Sequence, residues 1–264
     1  ADLSRRVAIY DLRGLSFREY LEFSEIARFP VVSLETLLAD HAAIATEVAS
    51  SIRVIGEFER YLNRGYYPFF LSTSEFTYSQ RVERIVQSVI DIDIPAVTQI
   101  EYETQLKLKK LVVVLADQVP FVPNISKLSK DIGVTRNQLM KLLALLCDGA
   151  ILRSLNDPST QPKGAAKPEK ILFDNPSVMQ ALGVSNRVGT VRESFIASML
   201  SKIGTVYCPK EGDFLLDRKY IFEVGGKGKG FSQIADKPEG CVIADDIESG
   251  FGNKIPLWLF GFLY

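Results

Sequence analysis

The sequence is poor in the residues that usually announce redox or metal chemistry: its 264 positions hold one histidine, three cysteines and one tryptophan. Cys147, Cys208 and Cys241 are odd in number and far apart. That argues against a disulfide framework and against a zinc-ligand pair, and it fits a reduced cytoplasm. His41 stands in a helical stretch with no Ser or Cys motif beside it, so packing or a surface position is expected of it, not catalysis. Long apolar runs are missing too. Leu111 to Ala116 and Leu257 to Tyr264 fall short of a bilayer span, and no charged-then-apolar segment opens the chain. The expectation is a soluble, cytoplasmic chain with no membrane partner. An excess of one charge is also absent, with 31 Lys and Arg against 32 Asp and Glu. The whole chain therefore offers no general attraction to nucleic acid, and any such surface must be local.

What is present is an ordinary globular composition, 47% hydrophobic and 24% charged, long enough for two or three compact units. Val7 to Tyr10 has strand length, and Ser16 with Glu19 forms a capping-box pattern that predicts a helix through Phe17, Tyr20 and Leu21. Spaced apolar positions predict further helices over 34–50, 52–63 and 74–90, with the break at Gly65 to Pro68. A single strand cannot make a sheet. The expectation is that the first strand pairs with chain lying upstream of Ala1.

From Glu101 to about Asn175 the pattern changes to three helices and two strands. Helices run through Leu106 to Ala116, through Ile125, Leu128 and Ile132 with Asn124 as cap, and through Leu139, Leu142, Leu143 and Leu146. Thr135 with Gln138 is a second capping box, and Gly133 fills the preceding turn. Strands at 150–152 and 170–173 follow, and helix-turn-helix plus hairpin reads as a winged helix. The polar residues Arg136, Asn137, Gln138 and Lys141 are suited to reading a major groove, with Lys163, Lys167 and Lys170 for phosphate. Eleven basic and eight acidic residues make the electrostatic footprint of this segment weak. Protein docking or an interdomain role is the alternative use of such a module.

The last segment predicts a helix over 192–202 and strands near 205–208, 213–216, 220–224 and 241–244. Asp217-Arg218-Lys219 joins two of these strands, and a three-residue loop sets Asp213 opposite Glu223 on one face. Cβ atoms so placed lie about 5 Å apart, and two ionised carboxylates there repel. A divalent metal, a Lys or Arg, or a raised pKa must compensate. Glu193, beside the apolar stripe of Phe195, Ile196, Met199, Leu200 and Ile203, would join them if its helix packs on the sheet. The alternative is two acids ending strands at a solvated edge, and a one-residue change of loop length would put them on opposite faces. Gly225-Gly226-Lys227-Gly228-Lys229 lacks the full phosphate-loop frame and reads as a flexible basic loop.

Arg192-Glu193-x-Phe195, Gly212-Asp213-Phe214 and Phe222-Glu223-Val224 resemble the C-terminal domain of certain prokaryotic AAA-type ATPases, a domain whose fold is similar to the PD-(D/E)XK nucleases. The resemblance covers nearly the whole chain. Ser4-Arg5-Arg6 and Gly14-Leu15-Ser16-Phe17-Arg18-Glu19-Tyr20-Leu21 look like the stretch closing the ATPase domain, Gly65-Tyr66-Tyr67-Pro68 like its helical lid, and Pro256 to Gly261 like its C-terminus. It implies that Asp213 and Glu223 are metal ligands for magnesium, that Glu193 is an auxiliary acid, and that Arg5 or Arg6 senses nucleotide in a complete protein that binds ATP. It also implies a catalytic lysine two residues after the Glu. That position is Gly225, so Lys227 or Lys229 must supply the ammonium from a glycine-rich loop, and Lys227 is taken with Glu193, Asp213 and Glu223 as the catalytic set.

The resulting expectation is an α+β, multi-domain chain: residues 1–100 as the tail of an ATPase domain with its helical lid, 101–180 as a winged helix, and 181–264 as a small mixed α/β restriction-endonuclease-like domain. Its expected role is engagement of DNA or RNA by the C-terminal part of an ATPase whose phosphate loop lies elsewhere. The alternative is a regulatory or protein-interaction module, by a protein partner or self-association, with a catalytically inactive nuclease-like fold.

Overall fold

Ser16 caps the first described helix as the sequence predicts: its side chain accepts the Glu19 N–H, and the Glu19 carboxylate takes the Ser16 N–H at 2.8 Å. A computed structural model of the protein describes residues 13–117, 124–159, 167–184, 187–234, 237 and 240–264. The expected strand at Val7 to Tyr10, together with Arg5, Arg6 and Lys163, lies outside the described residues. The described chain is α+β, with two sheets.

The first helices are α1 (Phe17–Phe23), α2 (Leu34–Ser51), α3 (Val54–Arg64) and α4 (Glu75–Ser88). A short 3-10 turn, Pro68–Ser72, separates α3 from α4. Phe17 and Leu21 point inward because α1 closes against α3 and the chain's last turn: Phe17 packs edge-on to Phe58 and to Phe262, with centroids 5.2 and 5.9 Å apart. Backbone contacts reinforce this, with Val32 N–H donating to the Phe262 carbonyl at 2.9 Å. Buried aromatic pairs of this geometry add roughly 1 kcal/mol each beyond their area. His41 is buried and donates from Nε2 to the Gly252 carbonyl at 2.8 Å, the packed role expected of it.

A π-helical turn, Val89–Asp93, leads into the short α5 (Ile94–Thr98), then α6 (Tyr102–Ala116), α7 (Ile125–Ile132) and α8 (Arg136–Asp148). Helix α6 begins before the apolar stretch from Leu106 that marks it in the sequence. Asn124 caps α7, and Gly133 at φ +79° ends it, letting the Val134 N–H reach back to the Ser129 carbonyl at 2.9 Å. Thr135 and Gln138 close the second capping box at the head of α8. The hairpin follows as β1 (Leu152–Leu155) paired antiparallel with β2 (Lys170–Phe173). Strand β1 starts two residues later than the sequence suggests, because Ala150 takes a left-handed φ of 52° in the turn.

A short α9 (Pro176–Ala181) precedes α10 (Val188–Leu200) and five strands, β3 (Val206–Tyr207), β4 (Phe214–Leu216), β5 (Tyr220–Gly225), β6 (Gly240–Ala244) and β7 (Lys254–Pro256). Their order is sequential: β3, β4 and β5 are antiparallel, and β5, β6 and β7 are parallel. Leu257–Phe262 is a buried 3-10 turn. One hydrophobic cluster draws residues from α1 through this last turn, Phe17, Leu142, Leu172 and Phe195 among them. The three segments read from the sequence therefore share packing instead of hanging as beads on linkers.

Candidate functional site, an acid and lysine cluster and an exposed helix

The β4–β5 hairpin sets the centre of the cluster. Leu216 pairs with Tyr220 and Phe214 with Phe222, so the loop holds three residues; the paired register ends at Phe214, and Asp213 is the residue leading into β4. The register holds because Asp217 and Arg218 both accept left-handed φ values, and the Asp217 carboxylate takes the Thr205 N–H at 2.7 Å. Asp213 is anchored by its own N–H to the Phe222 carbonyl and by Oδ2, which accepts the Val224 N–H, both at 2.8 Å.

Helix α10 brings Glu193 to the same place, and two lysines meet the three acids. The Lys170 ammonium lies 2.6 Å from Glu193 Oε2 and 3.6 Å from Asp213 Oδ1. It also stands over the Phe214 ring, 5.1 Å from its centroid. The Lys229 ammonium pairs with Glu223 Oε1, and the Gln233 amide nitrogen, in its chemically consistent orientation, donates to Glu223 Oε2 at 2.9 Å. Glu223 is the deepest member, its side chain 1% exposed. Burial pushes its carboxyl up, the Lys229 contact opposes this, and Asp213 adds to the rise. Glu193 is raised in the same way, with burial ahead of the lowering by Lys170. For Lys170 burial pulls the ammonium down, yet Glu193 and Asp213 outweigh it and its pKa ends higher than usual.

The structure sorts the sequence candidates. Glu193, Asp213 and Glu223 come together. Lys227 does not join them: it is exposed and faces Asp246 at 3.4 Å, because the turn after β5 directs it outward. Lys229 takes the inner place. A Cβ at Gly225 would lie 2.7 Å from Cβ, Cγ and Cδ of Lys229, so the lysine stem fills the space where a residue-225 side chain would stand. The loop also carries contacts of its own. Lys229 N–H donates to the Gly226 carbonyl, and the Lys254 ammonium binds the carbonyls of Lys227 and Lys229 at 2.5 and 3.1 Å. Lys170, expected on phosphate, is buried in the cluster. Sequence reasoning missed Lys170 and Gln233 as members. A lysine opening a run of otherwise apolar strand residues is the one local signal that pointed to Lys170.

The second candidate surface is α8. Arg136, Asn137, Gln138 and Lys141 are all exposed on its N-terminal half. Gln138 and Lys141 also border a groove of about 480 Å³ with Ile100, Thr104, Lys107, Val134, Leu142 and Leu145. No group of three or more His, Cys, Asp or Glu placed to hold a metal ion occurs among the described residues, and no described helix is long and apolar enough to cross a membrane.

The chain belongs to the family described as Domain of unknown function (DUF8612), whose model matches residues 55–188, just over half of the sequence. The match takes in α8 and the hairpin and stops at the start of α10. The chain is also 25% identical, over 291 aligned positions, to Uncharacterized protein MJ1637 of Methanocaldococcus jannaschii. That alignment covers 99% of this chain and 61% of the relative, so the chain spans about three fifths of the relative's length. No solved structure matches it.

Proposed function

We propose that this chain is the nucleic-acid-engaging part of a larger AAA-type ATPase, in which α6, α7, α8 and the β1–β2 hairpin act as a winged helix that reads duplex DNA and the five-stranded sheet keeps a nuclease-like fold. The single observation carrying this reading is α8. The third helix before an antiparallel hairpin exposes Arg136, Asn137, Gln138 and Lys141 together at its N-terminal end. That is the end a recognition helix presents to base edges. The nuclease-like reading of the sheet is supported by acids drawn from α10, the residue leading into β4, and β5, with Lys229 over Gly225 where a strand lysine is expected.

Magnesium, which the resemblance implies, does not fit the cluster as it is arranged. A divalent ion needs several oxygens converging on open space. Here ammonium groups lie against Glu193, Asp213 and Glu223. The same pairing favours a second reading for the sheet, a regulatory or protein-interaction module whose nuclease-like fold does not cleave.

Fluorescence anisotropy with a labelled duplex tests the main reading. The chain should bind, and Arg136→Ala with Lys141→Ala should weaken binding, each lost base or phosphate contact being worth roughly 1–3 kcal/mol. Equal affinity of the two proteins would remove α8 from the account. Duplex cleavage in magnesium that Glu223→Gln abolishes would replace the second reading with an active nuclease.

A further inference from the structure

Three carboxylates placed so close need positive charge among them, and in nuclease-like folds a divalent cation is the expected source. In this chain the charge is already supplied. We infer that Lys170 and Lys229 have taken over the cation's role, so that the acidic cluster is closed by the chain's own ammonium groups and takes no divalent metal while the β1–β2 hairpin is docked. Only the expectation of a cation rests on the nuclease-like reading; the pairing itself stands on geometry.

The two lysines arrive from opposite sides in sequence and are held differently. Lys170 opens β2, a strand buried along its whole length, and its ammonium bridges Glu193 and Asp213 at 2.6 and 3.6 Å. Aromatic contact with Phe214 leaves it little room to turn away. Lys229 reaches Glu223 from the loop after β5, guided by the bare Gly225 and by the hold of Lys254 on that loop's carbonyls. Asp213, the remaining acid, spends Oδ2 on the Val224 N–H and turns Oδ1 toward Lys170. Each acid thus faces an ammonium group, Lys170 serving Glu193 and Asp213 and Lys229 serving Glu223. A metal would have to break at least one buried ion pair, and stranding a buried charge is strongly unfavourable. Because one plug belongs to the hairpin that follows α8, the hairpin is part of the site as well as part of the helical module.

Manganese binding to the intact chain, read by the loss of the free-ion paramagnetic resonance signal, tests this without reference to DNA or to cleavage. Wild type should leave millimolar manganese free, and Asp213→Asn should behave identically. Lys170→Met should bind manganese roughly tenfold or more tightly than wild type. That gain should vanish when Asp213→Asn is added. Wild-type binding that Asp213→Asn removes would overturn the inference, as would a folded Lys170→Met protein with no gain. Should Lys170→Met fail to fold, the wild-type comparison with Asp213→Asn still decides whether the site is closed. A DNA-binding failure in the α8 variants would leave this result untouched.

Discussion

Replacing Gly225 with alanine adds one methyl group and should dislodge a lysine. Gly225 lies within β5 and is not among the glycines of positive φ, so the substitution carries no backbone strain and its cost is steric. The new Cβ would stand 2.7 Å from three consecutive carbons of Lys229. Carbon contacts are comfortable at about 3.5–4.0 Å, so the stem must retreat by about 1 Å. The ammonium then leaves Glu223, whose side chain is 1% exposed and keeps Gln233 as a partner. Breaking a fully buried pair costs about 3–5 kcal/mol. The Lys229 side chain is 30% exposed, so water already screens this pair, and the carboxyl, raised by burial, can take a proton instead. A loss of about 2 kcal/mol is the discounted expectation. Urea unfolding of Gly225→Ala, Lys229→Met and the double variant measures it. Both singles should lose similar amounts, and the double variant should lose little more than either, since both remove one contact. A Gly225→Ala protein within about 0.5 kcal/mol of wild type, or losses that add, would refute the placement of Lys229.

Two further perturbations probe the scaffold. Lys202 donates to the Gly14 carbonyl at 2.7 Å and stands over the Tyr264 ring, while burial pulls its ammonium down to about 7. A folded pKa below the unfolded one means that the unfolded chain binds the extra proton between the two values. Wild-type stability should therefore rise from about pH 7 to about pH 10, and Lys202→Met should lack that rise; parallel stability curves would show that the carbonyl and the ring offset the burial. Thr135→Ala removes one half of the α8 capping box and should cost about 1 kcal/mol in the same urea assay, an unchanged midpoint counting against an ordered head of α8.

Local chemistry was readable wherever neighbours in sequence decide the outcome. Both capping boxes form, Asn124 caps α7, and the β4–β5 loop holds the three residues expected. Short elements were missed for lack of periodicity: α9 has six residues and β7 three, and both are fixed by tertiary packing. The cluster was half legible. Opposed acids demand a cation, but which cation depends on chain remote in sequence, and Lys170 and Glu193 are brought together only when the hairpin packs beside α10. The choice of Lys229 over Lys227 turns on the path of one loop. A bare glycine marks a space without naming what fills it.

The proposed engagement of nucleic acid by α8 is tested most directly by the salt dependence of duplex affinity. A plot of log affinity against log salt should fall with a slope near −0.9 for each phosphate neutralised, and Lys141→Ala should make it shallower by about one unit if Lys141 touches phosphate. Affinity that is undetectable at about 50 mM salt, or a slope identical in wild type and in the paired Arg136→Ala, Lys141→Ala variant, would contradict it.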